Sequence, residues 1–507
     1  MYKFLRYFRI ILSLCFLAAF TLIFVDIYGN IAAKLLGLLR WQIMPSILGI
    51  AVGGSAILMV LLLITVFFGR VYCSTLCPLG TFQDIVRRIA NLFRTKRQRR
   101  FVYTKPHNYW RYGILTSAIA LFIAGSSTII LWLDPYSNYG RIAENLFKPF
   151  IVLGNNLLSY VWSSIPAFSM NEVTLAAVIT AFIASLLIIG FSAFHGRLWC
   201  NTMCPVGSLL GLFARNSVFR LIINKDACTN CTLCEKQCKS QCIDTETQRI
   251  DSSRCVQCMN CMQVCKSDAI SHHLIYAKNI QKLVPPPQTD SSRRRVLIGS
   301  LSALGVAAIY HAIGKPLRII APKNPKAIAP PGARSVAELK HHCTACHACI
   351  ANCPTRTLRP ALGEYGLDGV MMPVMDYDIS FCNYECVVCT HVCPAGALIP
   401  LQVDEKKVTQ VGKAHFFRER CITVVDENDC GACNEHCPTK AVRMIPYKEG
   451  LLIPEIDLSL CIGCGGCEYI CPTRPRAIIV YGNPEHEIVQ MPEIQMQEKK
   501  EVNDFGF

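Results

Sequence analysis

Twenty-four of the chain's 30 cysteines fall into six short runs, and a polypeptide built this way must fold around whatever the thiols bind. The first two runs are Cys228-x2-Cys231-x2-Cys234-x3-Cys238 and Cys255-x2-Cys258-x2-Cys261-x3-Cys265. Further on come Cys343-x2-Cys346-x2-Cys349-x3-Cys353-Pro354 and Cys382-x3-Cys386-x2-Cys389-x3-Cys393-Pro394. The last are Cys421-x8-Cys430-x2-Cys433-x3-Cys437-Pro438 and Cys461-x2-Cys464-x2-Cys467-x3-Cys471-Pro472. Thiols two or three residues apart suit metal ligation better than disulfides between distant segments. Structural zinc uses two CxxC pairs split by a longer loop, which repeated CxxCxxC spacing fits poorly. A cubane [4Fe–4S] cluster needs four converging thiolates, and three close cysteines wrap one face of it.

In two-cluster arrangements the fourth cysteine of each run reaches the neighbouring cluster. That rule predicts Cys228, Cys231 and Cys234 with Cys265, and Cys255, Cys258 and Cys261 with Cys238. The last pair follows suit: Cys421, Cys430 and Cys433 with Cys471, and Cys461, Cys464 and Cys467 with Cys437. The long gap after Cys421 leaves a [3Fe–4S] cluster open there. Spacing does not say how the runs Cys343–Cys353 and Cys382–Cys393 pair. Six runs predict six clusters, about 24 irons if all are cubanes.

Hydrophobic residues make up 52% of the sequence and charged residues 17%, a balance that points to membrane. Four apolar runs match the roughly 20 residues a helix needs to cross a hydrocarbon core: Ile10–Val25, Ile47–Phe68, Gly113–Leu133 and Val173–Phe194. A fifth, shorter run covers Val296–Ile313. The stretch 149–168 contains Pro149, Asn155, Asn156 and Pro166 and reads as an interfacial helix and loop. The net charge of +16 is local: residues 1–9, 69–112 and 195–295 hold 27 Lys and Arg against 8 Asp and Glu. Residues 315–507 hold 20 basic and 23 acidic residues. Basic residues flanking apolar segments are the positive-inside pattern, not a nucleic-acid footprint. One orientation satisfies every basic loop. The N-terminus and residues 69–112 and 195–295 lie in the cytoplasm of a bacterial inner membrane, and residues 315–507 lie in the periplasm. Arg293-Arg294-Arg295 before the fifth run reads as a twin-arginine export signal.

The expected fold is an α-helical membrane domain of four spans plus one anchor, with ferredoxin-like α+β [4Fe–4S] domains on each side. Its divisions are a membrane domain (1–225), a cytoplasmic two-cluster domain (226–275), a linker with signal and fifth span (276–315), a periplasmic four-cluster domain (316–482) and a polar tail (483–507). The membrane part repeats a unit: Gly69-Arg70 then Cys73-x3-Cys77-Pro78-x-Gly80, and Gly196-Arg197 then Cys200-x3-Cys204-Pro205-x-Gly207. Two half-sites at one membrane depth supply four thiolates, enough for a seventh cluster; a redox-active or structural thiol pair is the other reading. Cys15 reads as packing and Cys242 as a spare buried thiol. The first four spans hold no histidine pair, His195 abutting the fourth and His311 lying in the fifth, so no haem is predicted. Asp134, Tyr136 and Arg141, at the outer end of the third span, are interface anchors or a quinol-binding group.

Residues 1–275 resemble NapH-type proteins, with their four spans, CxxxCP motifs and two-cluster ferredoxin. Residues 290–490 resemble NapG and MauM ferredoxin-type proteins, and the membrane half is also similar to NosR-type polyferredoxins. Lys239 and Lys266 stand where proline is commoner after a run. The resemblance implies a quinol dehydrogenase-type electron-transfer subunit, not a terminal reductase, working with the quinone pool and a periplasmic reductase or cytochrome such as nitrate reductase. The alternative is an electron-donating accessory protein that matures or reactivates a periplasmic metalloenzyme. An ion-coupled machine would need intramembrane carboxylates, which the apolar cores of the four spans lack. With roughly 30 Å of hydrocarbon between the two cluster groups, direct exchange through the membrane is not expected, and quinone is expected to do the carrying.

Overall fold

The computed structural model describes residues 2–50, 53–124, 126–162, 164–168, 175–274 and 327–490. The twin-arginine motif, the fifth apolar run with His311, and residues 491–507 lie outside them. Among the helices of the N-terminal half are α1 (Tyr2–Val25), α2 (Gly54–Phe68), α3 (Pro78–Ala90), α4 (Asn108–Ile123), α5 (Pro135–Ile142), α6 (Leu175–His195) and α7 (Pro205–Ala214).

Two helices among the described residues are long and apolar enough to span a membrane, Phe4–Val25 within α1 and Leu175–His195. The expected four-span domain is met only in part. α2 and α4 have 15 and 16 residues, a rise of about 22–24 Å. Glycine is the cause in the second run: Gly53 stands at φ 88° and ends the short helix-and-turn segment before α2. The third run breaks after Ile123, and Thr128–Leu133 forms a separate short helix. Leu175, Ile179, Phe182, Ile183, Leu186 and Leu187 of α6 are all exposed, an apolar stripe of the kind that faces lipid or a partner. The stretch 149–168 forms the helix Lys148–Val161 with Phe150 and Tyr160 outward. Cys15, expected in the packed interior, is exposed on α1.

The repeat exchanges its parts. α3 follows the first CxxxCP motif but packs on α6, α1 and α5, whereas α7 follows the second and packs on α2 and α4. Each post-motif helix therefore rests on the long helix that precedes the other motif.

Two ferredoxin-like bodies built from hairpins and single-turn helices sit against this bundle. The first is closed by β1 (Phe219–Ile223) and β2 (Ile270–Leu274), antiparallel with Phe219 opposite Leu274. The second contains the hairpins Leu358–Pro360 with Pro373–Met375 and Val442–Pro446 with Leu452–Ile456. It is closed by β3 (Thr409–Phe416) against β4 (Ile478–Ile488), with an irregularity between Gly482 and Glu487. β4 runs past the boundary expected at 482, because residues 487 and 488 still pair with Gln410 and Thr409.

The two bodies meet opposite ends of the same helices. On α1, Arg6 Nε donates to Asn260 Oδ1 at 3.1 Å, whereas the Ile23 carbonyl accepts from Asn352 Nδ2 at 3.3 Å. On α4, Arg111 Nη2 donates to the Ser253 carbonyl at 2.7 Å, whereas Phe122 stacks on His341 with centroids 4.7 Å apart. On α6, Thr180 touches the Met371 sulfur at 3.6 Å, whereas Arg197, just past its end, donates its backbone N–H to the Lys239 carbonyl at 2.9 Å. Arg6 to Ile23 is 17 residues, about 26 Å of helix.

Candidate cluster-binding sites

Four loops share one backbone solution. In CxxCxxC, the two residues flanking the second cysteine adopt positive φ: Asn230 and Thr232, Gln257 and Met259, Ala345 and His347, Gly463 and Gly465. Left-handed backbone costs a non-glycine residue roughly 1–2 kcal/mol, and such outliers mark sites where something over-determines the loop. Here the curl turns successive thiols toward one point. A single-turn helix then carries the third cysteine, as in Leu233–Gln237 and Gly466–Ile470, and the fourth follows in extended backbone. The irregular runs differ: Val387 and Gly431 stand at φ −120° and −126°.

The sulfurs gather in the crossed sets expected. Cys228, Cys231, Cys234 and Cys265 line one cavity, and Cys421, Cys430, Cys433 and Cys471 another, so the eight-residue gap still delivers four thiols. A third cavity is lined by Cys353, Cys382, Cys386 and Cys389, which answers the pairing that spacing left open. Its complement is Cys343, Cys346, Cys349 and Cys393, mutually within electrostatic reach. Cys437 stands with Cys461, Cys464 and Cys467, and Cys238 with Cys255, Cys258 and Cys261. Each set brings together four thiols drawn from two cysteine runs, the number a cubane cluster needs. Burial pushes Cys433 and Cys464 up to about 12, so assembly must expel their protons.

Cys242 is not isolated. Its sulfur lies 3.6 Å from that of Cys238 and beside Cys255. The hydrogen bond from Cys242 is the main cause of the lowered Cys238 thiol.

The two CxxxCP motifs come together, with Cys73, Cys77, Cys200 and Cys204 all buried and electrostatically coupled. The Gly80 and Gly207 N–H groups point at Cys77 Sγ (3.4 Å) and Cys204 Sγ (3.3 Å). Sequence reasoning noticed the Gly-Arg pairs but assigned them no role; the fold crosses them over. Arg70 donates to the Cys200 carbonyl at 3.2 Å and approaches Cys73 Sγ at 3.8 Å. Arg197 donates to the Cys73 carbonyl and, at 2.9 Å, to that of Gly80. Both guanidinium groups are fully buried. Arg197 pairs with Asp84, whereas the hydrogen-bond partners of Arg70 among the described residues are neutral: Asn201, the Ser253 and Cys200 carbonyls, and Cys73. A buried cation of that kind needs an anion nearby, and four thiolates around a cluster would provide it.

Asp134, Tyr136 and Arg141 are buried, not exposed at the bundle rim. Asp134 caps α5 through the Ser137 N–H at 2.8 Å, and Arg141 donates to the Leu131 carbonyl at 2.7 Å. The Tyr136 hydroxyl faces the Cys346 sulfur, between the rings of Phe20 and Phe24. Asp134 Oδ1 and Arg141 Nη1 have no hydrogen-bond partner among the described residues.

Comparison with known proteins agrees with this chemistry. Residues 50–100 and 177–225, the two CxxxCP segments, match a 4Fe-4S binding domain. Residues 428–474 and 251–357 match 4Fe-4S dicluster domains. The chain carries ferredoxin-type 4Fe–4S domains. The match over 251–357 joins Cys255–Cys265 to Cys343–Cys353, runs that the fold divides between its two bodies. The chain is 28% identical over 184 residues to the methylamine utilization ferredoxin-type protein MauM of Methylobacillus flagellatus, 34% of this chain and 77% of that one. It is 26% identical over 142 residues to the ferredoxin-type protein NapF of Escherichia coli, 28% of this chain and 78% of that one. YccM of Escherichia coli, whose name assigns it to electron transport, is 27% identical over 192 residues, 36% of this chain and 45% of that one. The chain thus spans about half the length of YccM and of a Methanocaldococcus jannaschii relative, MJ0749, of which it covers 54%. These likenesses support iron–sulfur electron transfer over several [4Fe–4S] clusters.

Proposed function

We propose that this protein is an inner-membrane relay that takes electrons from quinol and delivers them to a periplasmic acceptor, a terminal reductase or cytochrome. In this reading the crossed cysteine sets hold six [4Fe–4S] clusters and the CxxxCP thiols hold a seventh. The clusters supply one-electron storage at successive points; the chain's residues fix their order and insulate them. One observation carries the reading: the outer set nearest the bundle, Cys343, Cys346, Cys349 and Cys393, is seated on membrane-domain side chains. Ser127 Oγ donates to the Cys343 carbonyl at 3.1 Å, and the Tyr136 hydroxyl faces Cys346. Electrons drawn from the membrane therefore have a contact through which to enter the outer domain. From there the Cys382 N–H donates to the Cys464 carbonyl at 3.0 Å, linking the second outer set to the third. The buried Asp134, Tyr136 and Arg141 would act at the bundle–cluster junction, and a quinol would have to reach them by displacing that packing.

The test is spectroscopic. In membrane vesicles, menaquinol should bleach the outer clusters and a periplasmic-side acceptor should restore them. Cys461→Ala should stop transfer to the acceptor while leaving quinol binding intact. Outer clusters that stay oxidised under quinol would refute the quinol donor.

A further inference from the structure

Packed side chains run continuously between the two cluster groups. Cys73, Cys77, Cys204 and Cys258 share one continuous core with Tyr72, Tyr136, Ala348 and Val392. That core reaches from the inner body to the outer one, and three of the four CxxxCP thiols, Cys73, Cys77 and Cys204, lie within it.

Each joint can be named. From the inner body, the Ser253 carbonyl accepts from Arg70 Nη1 at 3.1 Å, and Arg70 Nη2 lies 3.8 Å from Cys73 Sγ. Gln257, beside Cys258, packs against Gly69, and an added Cβ there would meet its Nε2 at 3.1 Å. Arg9 adds a second link: it donates to the Ser74 carbonyl at 2.9 Å and feels the charge of Cys258. On the other side, Tyr72 adjoins Cys73 in sequence, is fully buried, and lies within electrostatic reach of both Cys77 and Asp134. Asp134 begins α5, the helix on which Tyr136 meets Cys346. Along α1, the Arg9 contact and the Phe20 and Phe24 contacts with Tyr136 are 11 and 15 residues apart, about 17–22 Å. The four-thiol site thus divides the crossing into two shorter steps, the second filled with packed aromatic side chains.

We propose that the protein conducts electrons across the membrane without a mobile carrier, from the inner cluster pair through the CxxxCP site and the Tyr72–Asp134–Tyr136 segment to the outer clusters. The electron source is a one-electron carrier protein of the ferredoxin or flavodoxin class docking where Cys231 is exposed. Each step moves one electron: one cluster is oxidised, the next reduced, and no bond is made or broken. The proposal rests on the cluster assignment above but does not need quinol.

The experiment uses the full chain in quinone-free proteoliposomes oriented with the inner body inside. A photoreducible ferredoxin is entrapped, ferricyanide is the external acceptor, and a potassium ionophore dissipates the charge. Wild type should reduce ferricyanide outside the vesicles. A Cys73→Ala/Cys200→Ala variant that has lost about four irons and kept the rest should do so at least tenfold more slowly. Undiminished crossing in that variant, or none in fully loaded wild type, overturns the proposal. The wild-type measurement decides the matter alone if the variant does not assemble. Adding menaquinol to the same vesicles tests the quinol reading separately: outer clusters that respond to quinol but never to entrapped ferredoxin sink the conduit and spare the relay.

Discussion

Arg70 is the residue on which the electrostatics of the membrane site turn. A fully buried guanidinium held by neutral groups and a thiol is tolerable only beside negative charge, and reducing a cluster there adds one unit of it. Removing the cation should therefore make reduction harder. At an effective dielectric near 20, a charge several ångströms from the cluster is worth about 2 kcal/mol, roughly 85 mV for one electron. Arg70→Met should lower the midpoint potential of this cluster by about that much, read by a redox titration followed by electron paramagnetic resonance. An unchanged potential would mean that Arg70 does not balance the charge of this cluster. Cys242 acts in the same sense on a smaller scale. Its S–H bonds Cys238 and neighbours Cys255, and a hydrogen bond to a ligand sulfur stabilises the reduced cluster. Cys242→Ala should shift the inner cluster down by about 1 kcal/mol, roughly 40 mV, with iron content unchanged. The same titration checks it, and a spare thiol would give no shift.

At the scale of elements, the seating of the outer domain depends on α5 presenting a bare backbone. A Cβ on Gly140 would overlap the Cys346 carbonyl oxygen and the Phe24 ring, and forcing extra atoms into a packed contact costs about 1–3 kcal/mol. Gly140→Ala should loosen the Cys343–Cys353 loop from the bundle, seen as faster hydrogen exchange there and slower reduction of the outer clusters from the membrane side. Gly154→Ala is the control, because nothing lies within 4 Å of its Cβ; it should leave both readings unchanged. The ligating loops were legible in the sequence, since three cysteines at fixed spacing dictate one curl. The crossing of α3 onto α6 and of α7 onto α2 was not, because the repeat looks the same whether its halves pack separately or exchange. Nor was the burial of Asp134, Tyr136 and Arg141: hydropathy put them at a rim, whereas the chain breaks after Ile123 and folds them under a cluster loop.

For the whole molecule, the arrangement of the bodies bears on the proposed topology. Charge asymmetry predicts the basic segments inside, and hydropathy expected four full-length spans where the described residues show two, because Gly53 and the break after Ile123 divide two apolar runs. The contacts supply an independent argument. α1, α4 and α6 each meet the inner body at one end and the outer body at the other, and α1 separates Arg6 from Ile23 by about 26 Å, close to the roughly 30 Å hydrocarbon thickness. The apolar run Val296–Ile313 lies outside the described residues, and its sequence predicts a further span. Reporter fusions after Lys105, after Leu274 and after Gln490 should therefore read cytoplasm, cytoplasm and periplasm. Replacing the 296–313 run with a polar segment of equal length should bring the third reporter back inside and separate the outer clusters from the bundle. A Gln490 reporter in the cytoplasm of the intact protein would put both bodies on one side of the membrane. The contacts at opposite ends of α1, α4 and α6 would then be incompatible with a transmembrane bundle, and the cross-membrane route would fall with them.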